Sequence, residues 1–584
     1  MAAMRAFLLL GVAHAYKNNF VDTRYQPIFR PPGVGAVGYT GDPNGMMYRA
    51  DTKTYHLFWQ CKIGEIDGKT LWCHASSKDL ATWTRLPYEP AMSYSGGATQ
   101  TAAGVPKMLY KDVEKGNRFY TATPGNLSDP WLTGWVEAAT PTALSPAATD
   151  PSSGWLAPDG GFYAVQGQGA AASLWKSDAA FEVFESMNRS LLSFDWDFNP
   201  KDPTPRDPNF FNVGDAWAFE GSQKMCFWGG HDFYTLGAWN GTHFAPDDPL
   251  LSQTSPADYG GELWASNTFA GADGAVLTMA WVLEGDCDVE AWPPQKACQR
   301  VLDRGWYGVL TVIREVTLRS VALPGGGAQR ALAYAPVEAL ASLRFNAERV
   351  ALAGDGKFHP LKTAGAALDV SLTAAVGTDV AVRVLASPDG EERTVVSLTS
   401  AKRIDHAELV YLNAAQQKKA TLNATAAASI DACEARCLSD ARCLGWTATP
   451  ASEGAVACRT LGRLVPLLTK TKEGCDWGKN LGRDPRDSTS GVKGASWAVL
   501  AIDRSASRLS GGYGTHEYAA LVPLDGESAT VRVLVDGSVV EAFCAGVVVT
   551  ARVYPTRDDA VGVAVSATTG ATVSVEAHEM RAAF

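Results

Sequence analysis

Between about residue 36 and residue 320 the chain reads as short apolar runs rich in aromatic residues. Each is cut off by Gly, Pro, Asn or Asp; YHLFWQC, RFYTATP, GFYAVQG, KMCFWGG and AVLTMAWVLE are examples. Runs of this length between turn formers predict β-strands. The 3.6-residue period of an amphipathic helix is nearly missing. So many short strands in succession make a sandwich, a barrel or a propeller. Strand–turn–Asp units recurring at roughly 50-residue spacing favour propeller blades of four strands. A Gly-rich joint, PGGGAQ at 324–329, follows. Beyond it apolar and polar residues alternate, as in TVRVLVDGSVVEAF and GVVVTARVYP, which predicts a β-sandwich.

The alternation breaks between TVVSL (394–398) and WAVLAIDRS (497–505). There SIDACEARCLSDARCLGWTA predicts a short helix with Cys433 and Cys437 four residues apart on one face. With Cys443, Cys458 and Cys475 nearby, the segment resembles the PAN/apple module, a disulfide-stapled sheet carrying one helix. That resemblance implies a carbohydrate or protein ligand; a stapled surface insertion with no partner accounts for the cysteines as well. The expected organisation is all-β: a leader at 1–15, a five-bladed propeller at 20–323, a linker at 324–335, and a β-sandwich at 336–414 and 491–584. A small α+β insertion at 415–490 interrupts the sandwich.

The leader, MAAMRAFLLLGVAHA, has one Arg, a short apolar run and small residues at Ala13 and Ala15. It reads as a secretory signal, too short to span a bilayer. No later stretch of about 18 apolar residues follows, so no membrane span is expected. Sequons at Asn126, Asn188, Asn240 and Asn423 suit the same route, which leads outside the cell, to the pathway lumen or to a vacuole. A net charge of −11 argues against a nucleic-acid partner. Cys61 and Cys73 close and open two strand-like runs and could bridge a hairpin, and Cys287 and Cys298 could close a Trp-Pro-Pro loop. The total of 11 cysteines is odd, so at least one thiol stays free or pairs elsewhere. Metal-ligand clusters, phosphate-cradling glycine loops and Ser/His/Asp triads do not occur in workable spacing, so no metal and no cofactor is expected.

The tripeptide Asp-Pro-Asn occurs twice, in GDPNG (41–45) and RDPNF (206–210). Proline drives the residue before it out of the helical region, so such an Asp sits at a strand entrance or turn with its carboxylate aimed in one direction. Asp-Pro also occurs at Asp129, Asp150, Asp202 and Asp248, and most such pairs are turn formers. Context must separate the chemical ones from the rest.

That context is the ordered set YTGDPNGMMY (39–48), YHLFWQC, WCHASSKDLATW, YSGGAT, DYGGELWASNTF (258–269), RGWYGVLTVIREVTL (304–318) and LVDGSVVEAF (534–543). Together they resemble glycoside hydrolase family 32, the invertase, inulinase, levanase and fructan-exohydrolase group. Against the family's opening Trp-x-Asn-Asp-Pro-Asn-Gly, Asp42 stands at the nucleophile and Gly41 replaces the Asn. The resemblance implies a five-bladed propeller followed by a sandwich, and retaining cleavage of sucrose or fructans. It further implies Asn44, Gln60 and Ser95 as substrate contacts. Asp150 falls on the carboxylate of an Arg-Asp-Pro motif that stabilises the transition state, with Thr149 in place of the Arg.

A retaining mechanism needs a second carboxyl group, about 5–5.5 Å from the nucleophile, to protonate the leaving oxygen. Arg206 occupies the family's donor Glu position and, as a permanent cation, gives no proton at neutral pH. Asp207 lies one residue along, on the opposite face unless a bulge re-aims it. Three readings stay open. Asp207 is a shifted donor; or Glu262, otherwise expected as a substrate-contacting carboxylate of the fifth blade, donates; or the site binds carbohydrate without turning it over, with Arg206 as a contact. Fructosyl transfer would follow from the same covalent intermediate. His74, Asp536 and Glu541 read as structural, and Trp59, Trp72 and Trp83 as core rather than sugar platforms.

Overall fold

The structure, a computed structural model, describes residues 25–30, 38–63, 70–89, 94–148, 150–156, 161–168, 171–193, 215–218, 224–229, 233–239, 244–247, 255–260, 262–284, 306–322, 328–400, 403–405, 407–408, 421–439, 445–450, 456–461, 470–471, 489–492, 497–508 and 517–584. The leader, Thr149, Arg206, Asp207 and the Cys287–Cys298 loop lie outside them.

Five antiparallel sheets follow one another along the first part of the chain. The first consists of β1 (Gly38–Arg49), β2 (Thr54–Ile63), β3 (Leu71–Ser77) and β4 (Trp83–Glu89). The second starts with β5 (Gly96–Gln100). The third, fourth and fifth begin at Trp155–Leu156, Asp215–Ala218 and Leu263–Ala270. These first strands close a ring. β1 packs on β5 and on Leu263–Ala270, and Asp215–Ala218 packs on both Trp155–Leu156 and Leu263–Ala270. Between the second and third sheets the approach is so close that a Cβ on Gly97 would stand 2.3 Å from the Ser153 nitrogen. Trp306–Tyr307 returns from the fifth sheet to run parallel to β1. This is the expected five-bladed propeller. Its fifth blade extends further than expected: the outer strand Ala328–Pro336 pairs along its whole length with Arg314–Ala322. Most of the supposed linker is therefore blade, because the alternating ALAYA stretch has a sheet to join.

Two six-stranded sheets form the sandwich. Alternating burial in Thr394–Thr399 and Gly562–Ala567 marks strands with one face in its core. Val539–Cys544 and Val547–Arg552 are buried on both faces. One face meets the sandwich core and the other meets the fifth blade, where the Tyr259 amide donates to the Val548 carbonyl (3.1 Å). Each fully buried Val or Leu there contributes about 1.5–3 kcal/mol.

The inserted unit leaves after Thr394–Thr399 and returns at Trp497–Asp503, two neighbouring strands of one sheet. Its own five-stranded sheet runs from Arg403–Asp405 to Thr489–Val492, and those two end strands pair with each other. The unit is therefore wider than the 415–490 read from sequence. The helix Ile430–Ser439 carries the buried Cys433 and Cys437, and Cys433 is bonded to Cys458 on the strand Val456–Leu461. At the root of the insertion a cavity of about 310 Å³ opens between the sandwich sheets. Val376, Thr378, Leu398, Ser400 and Trp497 line it, with no titratable group among the described residues of its walls. Among the described residues no helix is long and apolar enough to cross a membrane.

Candidate active site

The geometry begins with a mismatch in the β1–β2 ladder. Thr40 faces Cys61 and Pro43 faces Trp59, so Gly41 and Asp42 share the single opposing residue Gln60. A second shift follows between Pro43 and Gly45. Such bulges bend a strand and re-aim a side chain, and proline is tolerated there because it forfeits little of the ladder. The sequence GDPNG thus builds a local break that presents Asp42. Its Oδ2 accepts hydrogen bonds from Gln60 Nε2 (2.9 Å) and Ser95 Oγ (2.7 Å), and Gln60 Nε2 also meets Ser95 Oγ at 2.6 Å. The carboxylate is only 6% exposed. It is fixed from two blades at once.

Ser95 is aimed by the turn before it. Tyr94 has φ +60°, a left-handed conformation that a bulky residue adopts only under constraint. Its carbonyl accepts from both Asn44 Nδ2 (3.0 Å) and Trp72 Nε1 (2.6 Å). Asn44, expected as a substrate contact, is fully buried (0% exposed). It supports the turn through its amide nitrogen. Trp59, Trp72 and Trp83 are likewise buried, as expected of core residues.

Asp150 stands half-buried at the entry to the third blade. Pro151 bridges to Gln166, and the Ser152 amide donates to the Val165 carbonyl (2.8 Å). Ser153 then abuts Gly97, two residues beyond Ser95. Residues 42, 95–97 and 150–153 therefore belong to three consecutive inner segments of the ring.

Glu262 is placed elsewhere. Its Oε1 accepts from the Tyr518 hydroxyl (2.8 Å) and pairs with Arg504 Nη1 (2.6 Å). Arg504 also donates to the Arg552 carbonyl (2.7 Å) and the Tyr518 hydroxyl (2.9 Å). All these partners belong to the sandwich, so Glu262 ties the fifth blade to the second domain. That engagement accounts for Oε1 of a residue expected as donor or substrate contact. Burial raises the Glu89 carboxyl to about 7 despite backbone donors at Trp135 and Gly134. It lies on β4, three strands from β1, roughly 14 Å at ~4.8 Å per strand, too far to assist Asp42.

His74 pairs with His56, ring nitrogen to ring nitrogen at 3.0 Å, and stacks on Phe58 at 4.0 Å. Burial pushes His56 down to about 3 and His74 well below its usual value. Both are neutral structural residues. Because the folded values lie below the unfolded 6.5, their contribution is complete above pH 6.5 and is lost as pH falls toward about 3. Acid unfolding should therefore steepen by up to about 1.4 kcal/mol per pH unit per imidazole across that window. His56→Gln is expected to flatten this slope in pH-dependent chemical denaturation; an unchanged slope would assign the acid sensitivity to other groups.

Cys61 and Cys73 form the expected disulfide across β2 and β3, beside Gln60. Cys544 is free and buried. No group of three or more His, Cys, Asp or Glu that could hold a metal occurs among the described residues.

A five-bladed propeller joined to a β-sandwich, with a buried carboxylate held at the ring's inner strands, defines the propeller–sandwich class of carbohydrate-active proteins. The model for the glycosyl hydrolases family 32 N-terminal domain matches residues 35–324, and that for the family 32 C terminal matches 492–581. The chain belongs to glycoside hydrolase family 32. An insoluble β-fructofuranosidase isoenzyme of Arabidopsis thaliana is 26% identical over 50% of this chain and 53% of its own length. An acid β-fructofuranosidase of Capsicum annuum is 26% identical over 89% of this chain and 74% of its own. The chain thus spans about half the length of the first of these relatives. Among solved structures, fructan 1-exohydrolase IIa from Cichorium intybus has a TM-score of 0.65 at 20% identity, covering 96% of this chain and 98% of that one. Exo-inulinase from Aspergillus awamori has a TM-score of 0.59 at 16% identity, covering 97% and 100%. The family models flank the insertion and leave most of it unmatched.

Proposed function

We propose that the protein hydrolyses β-fructofuranosides, either sucrose or fructans, with retention at the anomeric carbon. The observation that carries this reading is Asp42 on its bulge, one oxygen anchored by Gln60 and Ser95. A carboxylate so fixed is oriented before substrate arrives, which removes part of the entropic barrier to attack. Asp42 attacks the anomeric carbon of the fructosyl ring while the bond to the leaving oxygen breaks and that oxygen takes a proton. Water then displaces Asp42 and returns a proton to the acid/base. Asp150 holds fructosyl hydroxyls as charge develops. With Glu262 committed to Arg504, Asp207 is the acid/base of this reading. The secretory leader and the cell-wall and acid isozymes among the relatives support an extracellular or vacuolar site of action.

The test is fructose release from sucrose, inulin and levan by the purified protein, with the first-formed anomer read by NMR. Retention is expected. Inversion would remove the covalent intermediate. Fructan binding without release would favour the second reading, a carbohydrate-binding protein, for which Arg206 at the donor position is the motivating residue.

A further inference from the structure

Two of the four sequons fall on the rim of the propeller, on consecutive blades. The strand Trp135–Glu137 ends the second sheet and Phe184–Ser193 ends the third. An end strand of this kind exposes backbone donors and acceptors with which another chain can pair. Apolar side chains stand beside both edges. Leu127, Trp131 and Val136 are exposed at the second blade and Val183 at the third, the two valines at 61%. A Cβ on Gly125 would lie 3.3 Å from Val136 Cγ2, so Val136 abuts the residue that precedes Asn126.

The local backbone leaves both Asn residues exposed. At the second blade the Gly125 amide donates to the Gly134 carbonyl (3.0 Å), and Arg49 donates to the carbonyls of Leu127 (2.9 Å) and Asp129 (2.8 Å). Within that fixed loop Asn126 Oδ1 accepts the Ser128 amide (3.0 Å). This Asx turn holds the first and last residues of the sequon side by side, and both are exposed. At the third blade Trp175 faces Ser186 and Ser173 faces Ser190, so residues 187–189 bulge opposite Leu174 alone. Asn188 is the middle residue of that bulge, exposed and at φ +52°, a left-handed conformation that asparagine tolerates better than most residues. The side chains at Asn240 and Asn423 lie outside the described residues.

We infer that Asn126 and Asn188 are N-glycosylation sites, and that their glycans cover the exposed edges of the second and third blades. This rests on the secretory location proposed above. In the transfer, the Asn Nδ2 bonds to C1 of a polyprenyl-pyrophosphate-linked oligosaccharide. The C1–O bond to the pyrophosphate breaks, and the amide gives up one proton. The attached chain is bulky and hydrophilic. Set beside Leu127, Trp131, Val136 and Val183, it shields them from water-driven association and blocks edge-to-edge strand pairing. Both sites lie at outermost strands, whereas Asp42 lies on the innermost, so the glycans leave the catalytic funnel open.

The test uses the full-length chain, expressed with its own leader in a eukaryotic host. N-glycans are released enzymatically in heavy-oxygen water, and peptide mass spectrometry then locates the labelled positions. Label is expected at 126 and 188. Asn126→Gln and Asn188→Gln should each lose one glycan on a gel at unchanged fructose release. The double variant should self-associate with rising concentration in light scattering, where the wild type does not. Secreted protein with either Asn unlabelled overturns the inference for that blade, and a double variant that stays monomeric overturns the shielding. A chain retained in the cytosol removes the secretory reading and the inference with it; secretion without label at both positions removes the inference alone.

Discussion

Asp42→Asn is expected to reduce fructose release by about 10⁴-fold or more, at an unchanged thermal midpoint. The asparagine has the shape of the aspartate, and its carbonyl oxygen accepts the bonds that Gln60 and Ser95 now give to Oδ2. The turn at Tyr94 is held by Asn44 and Trp72, neither of which the substitution touches. What disappears is the proposed nucleophile. An amide oxygen forms no stable ester with the anomeric carbon, so the two-step route closes. Asp42→Ala should lose as much activity, yet accept azide as an external nucleophile on an activated aryl fructoside and give the inverted fructosyl azide. Asp42→Asn turning over at the wild-type rate would move the nucleophile to another residue.

How much of this was legible in the sequence follows from the range of the interactions. Strands announced themselves because turn formers and side-chain alternation are local. The Cys61–Cys73 bridge was legible because register fixes which residues of a hairpin meet. Asp-Pro-Asn signalled a departure from ideal strand geometry, although not that Gly41 and Asp42 would share one partner. Glu262 was illegible. Its partner Tyr518 lies 256 residues further on, and the order of motifs identifies a blade without saying which way a side chain at its entry turns. Asn44 was ambiguous for a related reason, since a polar residue beside the proposed nucleophile suits a ligand and a buried turn equally well. The insertion's true edges were hidden because Arg403–Asp405 and Thr489–Val492 pair across some 80 residues of chain and carry no local mark.

Arg314→Met is expected to cost about 3–5 kcal/mol of stability and to lower the thermal midpoint by roughly 2–4 °C, more than any surface change in this chain. Arg314 lies where propeller and sandwich meet. It donates to Asp258 Oδ2 (2.9 Å), to Glu541 Oε2 (2.9 Å from Nη2) and to Thr550 Oγ1 (2.8 Å). Glu541 also accepts from the Val312 amide (3.0 Å) and from Arg30, and Arg30 pairs with Asp536 (3.3 Å). Asp536 in turn accepts the Ile28 and Phe29 amides (2.7 and 3.2 Å). Burial opposes the charge on Glu541, but the guanidiniums of Arg30 and Arg314 hold its carboxyl below the ordinary range. Methionine fills the volume and removes the cation, leaving Asp258 buried without its arginine and Glu541 with one of two. The penalty is the desolvation of those carboxylates, now uncompensated. The pair Arg349–Glu576, with side chains 68% and 41% exposed, is the control: Arg349→Ala should change stability by less than about 1 kcal/mol, because water already screens it. If the two variants melt together, the buried cluster does not join the domains, and the apolar contacts of Val539–Cys544 and Val547–Arg552 with the fifth blade carry that junction alone.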